Sequence, residues 1–493
     1  MPLIIYKSSA GSGKTTTLVN EYLKITLRKP GNFRHVLAIT FTNKAANEMK
    51  MRILTALDEI ANGLAWEKGE YKNLFPELNM DKETTRSAAK QLQTLILHNY
   101  DEFAVSTIDA FVHRIIRTFA TDVKLPQNFE VVIDRDDIVP DIVAELFDKV
   151  GSDKALTDIM INFVLSQAEE EKSFDPGKPV REFVEKQFNE DSFQWLQKIE
   201  DIEPAEMLKI IRQIREKYST LKGTIKNIAG EAVNLISRNN LYESDFYRGR
   251  NGISAYFHKC SVLKDDSNVN PNSYINTTIS EDKWISGKAD ATAKRSIGKI
   301  KGELTKSFQK IQQIKDDYLL FKTVFKKIYA LALASEIRSL FEEYTFRTQK
   351  VHISEFNKRI SSEIAGQPVP FIYERLGRRY RYFLIDEFQD TSVLQWHNLL
   401  PLIEESLANG YFNMLVGDAK QAIYRFRNGE VELFTSLPGI YGNDGSALMK
   451  QREQQLKAAH RIKLIKENWR SREEIIRFNN RFFEIIKNGD NNR

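Results

Sequence analysis

The 493-residue chain carries 72 Lys and Arg against 67 Asp and Glu, a formal net charge of +5, with 42% hydrophobic and 28% charged residues, the composition of an ordinary globular protein. A single cysteine, Cys260, excludes an internal disulfide framework and thiolate-rich metal sites, and the seven His fall in no ligating spacing. No run approaches the ~18 uninterrupted apolar residues of a membrane span and no signal-peptide pattern opens the chain, so the expectation is a cytoplasmic protein without membrane contact.

In chain order, Leu3–Tyr6 reads as a short apolar strand and Lys14–Leu27 as a helix stopped by Lys29-Pro30-Gly31. "HVLAITFT" (His35–Thr42) has the β-branched, apolar centre of a buried parallel strand, and Asn43–Ile60 follows as a helix with Ala45, Ala46, Met49, Ile53 and Leu57 on one face. "FAVSTI" (Phe103–Ile108) is a third strand before a helix over Asp109–Phe119. The alternation predicts a doubly wound α/β domain. From about Pro140 to Arg347 the apolar residues recur at helical spacing, and strand character returns at Arg381–Phe388 and Phe412–Asp418. The predicted fold is therefore α/β, one parallel sheet with helices on both faces, interrupted by a large all-helical insertion. Boundaries are expected at 1–124 and 350–465 for the α/β parts, with the insertion at 125–349.

Between the first strand and helix lies "SSAGSGKTT". A glycine-rich turn feeding a helix N-terminus surrounds phosphates with backbone N–H groups, which any Cβ would block. Ser9, Ala10, Gly11, Ser12, Gly13 and Thr16 would form that cradle; Lys14 would reach the β- and γ-phosphates of ATP and Thr15 would ligate Mg²⁺. The strict phosphate-loop pattern has Gly where this chain has Ser8. "YFLIDEFQDTS" supplies the complementary acids at a strand end: Asp386 for Mg²⁺ and Glu387 as general base toward water. Tyr424 and Phe426 alternate with Arg425 and Arg427, a pattern suited to stacking single-stranded bases and meeting phosphates, the alternative being aromatics buried in the core. From Lys288 to Lys327, eleven basic residues face four acids, a net of +7 that reads either as a solvated helix face or as a phosphate-tracking surface.

The opening loop, "ITFTNKAANEMKMRI" (Ile39–Ile53), "VSTIDAF" (Val105–Phe111), "LIDEFQDTS", "LVGDAKQAIYRFRNGE" (Leu415–Glu430) and "ENWRSREEI" (Glu467–Ile475) occur in the order of motifs I, Ia, Ib, II, III and IV of UvrD/Rep-like superfamily 1 DNA helicases, which the chain resembles. The "DEFQD" and "GDAKQAIYRFR" spellings are most similar to the RecB/AddA branch, motor subunits of helicase–nuclease complexes. The resemblance implies a P-loop RecA-like lobe and an ATP-dependent motor that moves 3′→5′ on single-stranded DNA in double-strand-break processing and recombinational repair. It also implies contacts to duplex DNA and a second subunit. It makes Gln421 the γ-phosphate sensor, joined by Gln389, Arg470 the arginine supplied in cis, and Trp469 the adenine-stacking aromatic, if it is not core filler. DNA contacts are implied for Phe41, Thr42, Asn43, Thr107 and Asp109, together with Tyr424, Phe426 and Arg427. Ser471 with Glu474 reads as a capping box opening a helix. Residues 466–493 are expected to begin a second lobe, with any nuclease in a further part or a partner. Only Met1–Tyr6 precede the first loop, which leaves no room for the family's upstream adenine-reading Gln. The alternatives are a non-catalytic DNA-binding subunit, or a P-loop ATPase without a nucleic-acid role, which would leave the alternation at 424–427 unexplained.

Overall fold

A computed structural model describes residues 3–71, 73–169, 177–199, 201–264, 268–364, 371–465 and 467–490. Its strands are β1 (Leu3–Ser8), β2 (Val36–Thr40), β3 (Val105–Thr107), β4 (Glu130–Val132), β5 (Lys350–His352), β6 (Tyr382–Ile385), β7 (Asn413–Gly417) and β8 (His460–Ile465). Six form one sheet in the order β3-β2-β6-β7-β1-β8, every pair parallel. The remaining two, β4 and β5, pair in parallel by themselves.

The period-2 alternation of the central strands divides the core. Leu3, Ile5, Leu37, Ile39, Phe383, Ile385 and Leu415 enter one buried cluster with Phe111, Phe388 and Trp396. Ile4, Tyr6, Val36, Ala38, Leu384, Met414 and Val416 enter another, against Leu18, Tyr22, Met49 and Leu57. Both faces are covered, as an all-parallel sheet requires, so these strands read as continuous apolar runs. Parallel pairing also puts every strand's C-terminal end on one edge, where open α/β sheets bind ligands.

The chain divides into two compact units. The α/β unit comprises Met1–Arg135, Phe188–Phe193 and Thr345–Arg493, and the other Asp136–Gln187 and Gln194–Tyr344. The α/β unit thus runs to Arg135 and reclaims six residues from the middle of the expected insertion. The second unit is helical, with long helices at Pro204–Arg238 and Ala291–Leu331 and a core of Ile225, Phe246, Phe257, Ile297, Leu304 and Tyr318. Within Ala291–Leu331, Arg295, Lys299, Lys306 and Lys310 are exposed on the side opposite the buried Ile297, Ile300, Leu304 and Ile311. Lys301 leaves that stripe: it is half-buried and pairs with Asp282 at 2.5 Å.

β4 falls inside the span expected to be all-helical and pairs with the equally unexpected β5, and two further elements depart from the expectation. The helix Lys82–His98, capped by Asp81 accepting from Thr84 N, lies between the first two strand–helix pairs and β3. The strand β8 adds to the edge beside β1, mostly exposed, through the register Leu3↔His460 to Ser8↔Ile465.

Trp396 is fully buried, its ring edge-on to Phe388 at 4.8 Å, directly behind the Asp386-Glu387 turn. Trp396→Ala is expected to destabilise the α/β unit by about 3–5 kcal/mol. Urea unfolding followed by near-ultraviolet circular dichroism measures this; a loss below ~1 kcal/mol would mean that the core beside the turn refills.

Candidate functional site

The phosphate-loop reading depends on backbone conformation, and the conformation is present. Gly11 and Gly13 have φ of +75° and +85°, a region costly for residues with a Cβ. Gly13 is the N-cap of the helix Lys14–Arg28 and offers no side-chain cap, which leaves the first amides of that helix open to a ligand. Ser12 Oγ is buried without a hydrogen-bond partner. An uncapped helix start, a glycine-built turn and an orphaned hydroxyl suit a phosphate group.

Lys14 is buried, and its Nζ donates to Glu387 Oε2 and to Gln421 Oε1, both at 3.1 Å. These acceptors come from the ends of β6 and β7. Glu387 sits in the left-handed region (φ +50°) as the N-cap of the short 3₁₀ turn Phe388–Asp390, so that it and Asp386 point differently. Gln389 is buried and bridges the two ends: its Nε2 donates to Glu387 Oε2 at 2.8 Å and Asp390 Oδ2 at 3.1 Å, while its Oε1 accepts from Asp418 N at 2.9 Å. At Gly417 a Cβ would fall 2.8 Å from Gln389 Oε1 and push that amide out of its place. Asp418 Oδ2 then accepts from Gln421 Nε2 at 2.7 Å and orients the amide.

Asp386 is buried beside Glu387. Desolvation, then the charge of Glu387, push its carboxyl up to about 7, against the weaker pull of Lys14. A carboxylate so poorly compensated suits a divalent cation, with Thr15, half-buried one residue past Lys14, as the second protein ligand.

The sixth motif closes against the loop. Trp469 N donates to Gly11 O at 2.8 Å and Asn468 Nδ2 to Ala10 O at 3.1 Å, while Asn468 Oδ1 accepts from the amides of Arg470 and Ser471. Asn468 is the residue that sequence reasoning passed over; an Asn two and three residues before polar amides is the signature of such a turn. Because Ser471 N is held by Asn468, the helix starts later, at Glu473, with Ile476 N donating to Arg472 O, and the expected Ser471–Glu474 capping box is not the one that opens it. Trp469 is 78% exposed, so the core-filler alternative fails, and Arg470 is exposed as well.

Along the same sheet edge lies an aromatic group. Phe41 packs on Tyr424 at 4.3 Å between centroids, Tyr424 on Phe426 at 5.8 Å, and the Arg427 guanidinium lies about 6 Å from both rings of the latter pair. Phe426 is 77% exposed, which removes the core alternative for it; Tyr424 is half-buried. Thr42 and Thr107 instead cap helices, accepting from Ala45 N and Ala110 N, so these segments present helix N-termini, with Asn43 exposed at the first of them. Asp109 Oδ1 accepts from Gln395 Nε2 at 3.0 Å, and desolvation raises its pKa while Arg427 opposes the rise. The residue as a whole stays exposed at the first turn of its helix.

A family model for the UvrD/REP helicase N-terminal domain matches residues 2–441. The chain belongs to this family. Among curated relatives of this helicase family, proteins named as ATP-dependent helicase/nuclease subunits, from Lactococcus lactis subsp. cremoris (strain SK11), Clostridium novyi (strain NT) and Clostridioides difficile (strain 630), are each 25% identical to it over 98% of the chain. The chain spans 37–39% of their length. No helix among the described residues is long and apolar enough to cross a membrane.

The Asp386 carboxyl gives the site a pH dependence. An ordinary Asp ionises near 3.9, so between that value and about 7 the native state holds an extra proton, and the stability it contributes is lost as pH rises through about 7. Cation binding runs the other way, since it needs the ionised form. Magnesium-dependent nucleotide affinity is expected to weaken roughly tenfold from about pH 8 to about pH 6. Titration with a fluorescent nucleotide, in parallel with Asp386→Asn, checks this; the same slope in the variant would place the titrating group elsewhere.

Proposed function

We propose that the chain is the N-terminal motor portion of an ATP-dependent DNA helicase, a 3′→5′ translocase on single-stranded DNA that acts in double-strand-break processing and recombinational repair beside a nuclease activity. The single observation that carries the reading is that Gln421, on Lys14, lies three residues before Tyr424, which stacks on Phe41. One loop serves the nucleotide site and the aromatic group. The names of the relatives support the helicase–nuclease assignment, and with it contact with single-stranded and duplex DNA and a second subunit.

In this reading Ser9–Thr16 cradle the phosphates, Thr15 and Asp386 hold Mg²⁺, and Trp469 stacks on the adenine. Bound there, the cation would neutralise charge developing on the transferred phosphoryl oxygens. Lys14, on leaving Glu387 and Gln421 for the phosphates, frees both residues. Glu387 then takes the proton of the attacking water, Gln421 reports on the γ-phosphate, and Arg470 stabilises charge from the far side. Phe41, Tyr424 and Phe426 stack bases, Arg427 meets phosphates, and the N-terminal amides beyond Thr42 and Thr107, beside Asn43, receive the backbone. Asp109, exposed near Arg427, contacts the DNA strand beside them. A non-catalytic protein has no need of Lys14, Asp386, Glu387 and Arg470 together.

Binding and chemistry separate by mutation. Lys14→Ala is expected to weaken nucleotide binding and abolish hydrolysis, whereas Glu387→Gln should bind Mg²⁺·ATP yet hydrolyse it about a hundredfold more slowly or worse. A loss in Glu387→Gln confined to nucleotide affinity would reverse the division of roles between Asp386 and Glu387.

The basic stripe of the helical unit is proposed to meet DNA phosphates. Reversing Arg295, Lys299, Lys306 and Lys310 to Glu is expected to lower DNA affinity and flatten its dependence on salt by about one unit of slope per lost contact. Anisotropy across a salt series measures the slope, and an unchanged slope would return the stripe to a solvated helix face.

A further inference from the structure

Glu190 is a buried acid that the proposed ATP and DNA cycle does not use. It is 8% exposed and begins the helix Glu190–Leu196, within the six residues Phe188–Phe193 that belong to the α/β unit while both flanks belong to the helical one. A carboxyl in that position costs more than an apolar side chain of the same size unless each oxygen is matched. Both are. Oε1 accepts from Asn357 Nδ2 at 2.7 Å and Oε2 from Ser392 Oγ at 2.5 Å. Burial raises its pKa, against the two hydrogen bonds and the nearby Lys358 charge.

Ser392 is the junction that gives the contact meaning. It caps the helix Val393–Ala408 reciprocally with Gln395, whose Nε2 goes on to Asp109. It also forms an isolated bridge with Gly429, next to Glu430 N donating to Thr391 O. Two residues earlier, Asp390 Oδ1 accepts from Ile423 N, and Gln389 before it reaches Glu387. Residues 389–395 are therefore bonded to the general-base candidate on one side and to both ends of the aromatic–arginine loop on the other. Asn357, the other partner of Glu190, accepts from Asn398 Nδ2 through its carbonyl, so the carboxyl spans two elements that meet on one helix.

We propose that Glu190 is a positioning residue that couples nucleotide occupancy to DNA affinity by fixing Ser392. The inference rests on the ATP- and DNA-binding reading above and assigns a route between its two sites. Coupling of this kind is a free energy that either ligand can report.

The test measures binding of a fluorescent oligothymidylate to the 493-residue chain, with and without magnesium and a non-hydrolysable ATP analogue. The ratio of the two affinities is the coupling factor. Glu190→Ala is expected to reduce that ratio at least about threefold, within the ~5–150-fold range usual for coupled sites, while each ligand alone binds within about twofold of wild type. Glu190→Gln keeps two polar atoms in reach of Asn357 and Ser392 and should restore most of the ratio. Should Glu190→Ala not fold, Glu190→Asp, one methylene too short to span both partners, is expected to lower the ratio in the same way. A wild-type ratio in Glu190→Ala or Glu190→Asp, including one kept while melting temperature and both affinities fall together, would overturn the proposal. So would a wild-type chain that binds both ligands without coupling. A wild-type chain that bound neither ligand would instead overturn the functional reading beneath it.

Discussion

A buried ammonium must find acceptors, and much of this α/β unit can be understood from how Lys14 finds them. The glycine turn puts Lys14 at the start of a helix under the sheet edge, where water cannot serve it. Its two acceptors lie 373 and 407 residues away in the chain. They reach it because β6, β7 and β1 are adjacent and parallel, so three strand ends arrive together. The left-handed Glu387, the missing Cβ at Gly417 and the buried Gln389 are conditions of that one convergence. In the proposed function the same ammonium moves to an incoming phosphate, and the resting contacts with Glu387 and Gln421 would hold both side chains until then.

The parts legible in the sequence are those whose physics is local. Burial on both faces made the centres of β1, β2, β6 and β7 apolar, and the phosphate turn and the Asp-Glu pair each sit within a few residues of a strand end. The helix Lys82–His98 was passed over because strand–helix alternation does not ask for it, although Asp81 caps it and Thr85, Ala88, Ala89, Leu92 and Ile96 recur at helical spacing. β8 was not legible, because in an exposed edge strand Ile462 and Leu464 are as exposed as the Arg461 and Lys463 that alternate with them, so it carries no burial pattern. Asn468 and Glu190 have roles set by partners more than 150 residues away, and the capping pattern at Ser471 misled because a neighbouring side chain had already taken the amide it would need free.

Charge alone was a poor guide in the helical unit. The +7 segment becomes informative only when helical geometry sorts its residues, placing Arg295, Lys299, Lys306 and Lys310 together and removing Lys301 to an ion pair. A net charge counts residues that no common ligand could touch, whereas a stripe one face wide offers fixed charges along a line, as a nucleic-acid backbone does.

The loop from Asp418 to Glu430 shows why the two proposed sites need not be joined by a long pathway. It is clamped to the residues after β6 at three points, Gln389 to Asp418, Asp390 to Ile423 and Thr391 to Glu430, and its interior is two short 3₁₀ turns. Gln421 and Tyr424 are three residues apart in that loop, so in the proposed cycle a side chain released from Lys14 would shift a segment whose next aromatic already packs on Phe41. Asp109 opposes Arg427 from a different helix and Glu190 holds the clamp from a third element, so the loop's resting position is a balance of several polar contacts. Each contact is individually modest, on the order of 1 kcal/mol. A balance of that kind is easily tipped by a ligand that binds one of its positions better than the other, and that is what the proposed motor would require of the residues between its nucleotide and its DNA.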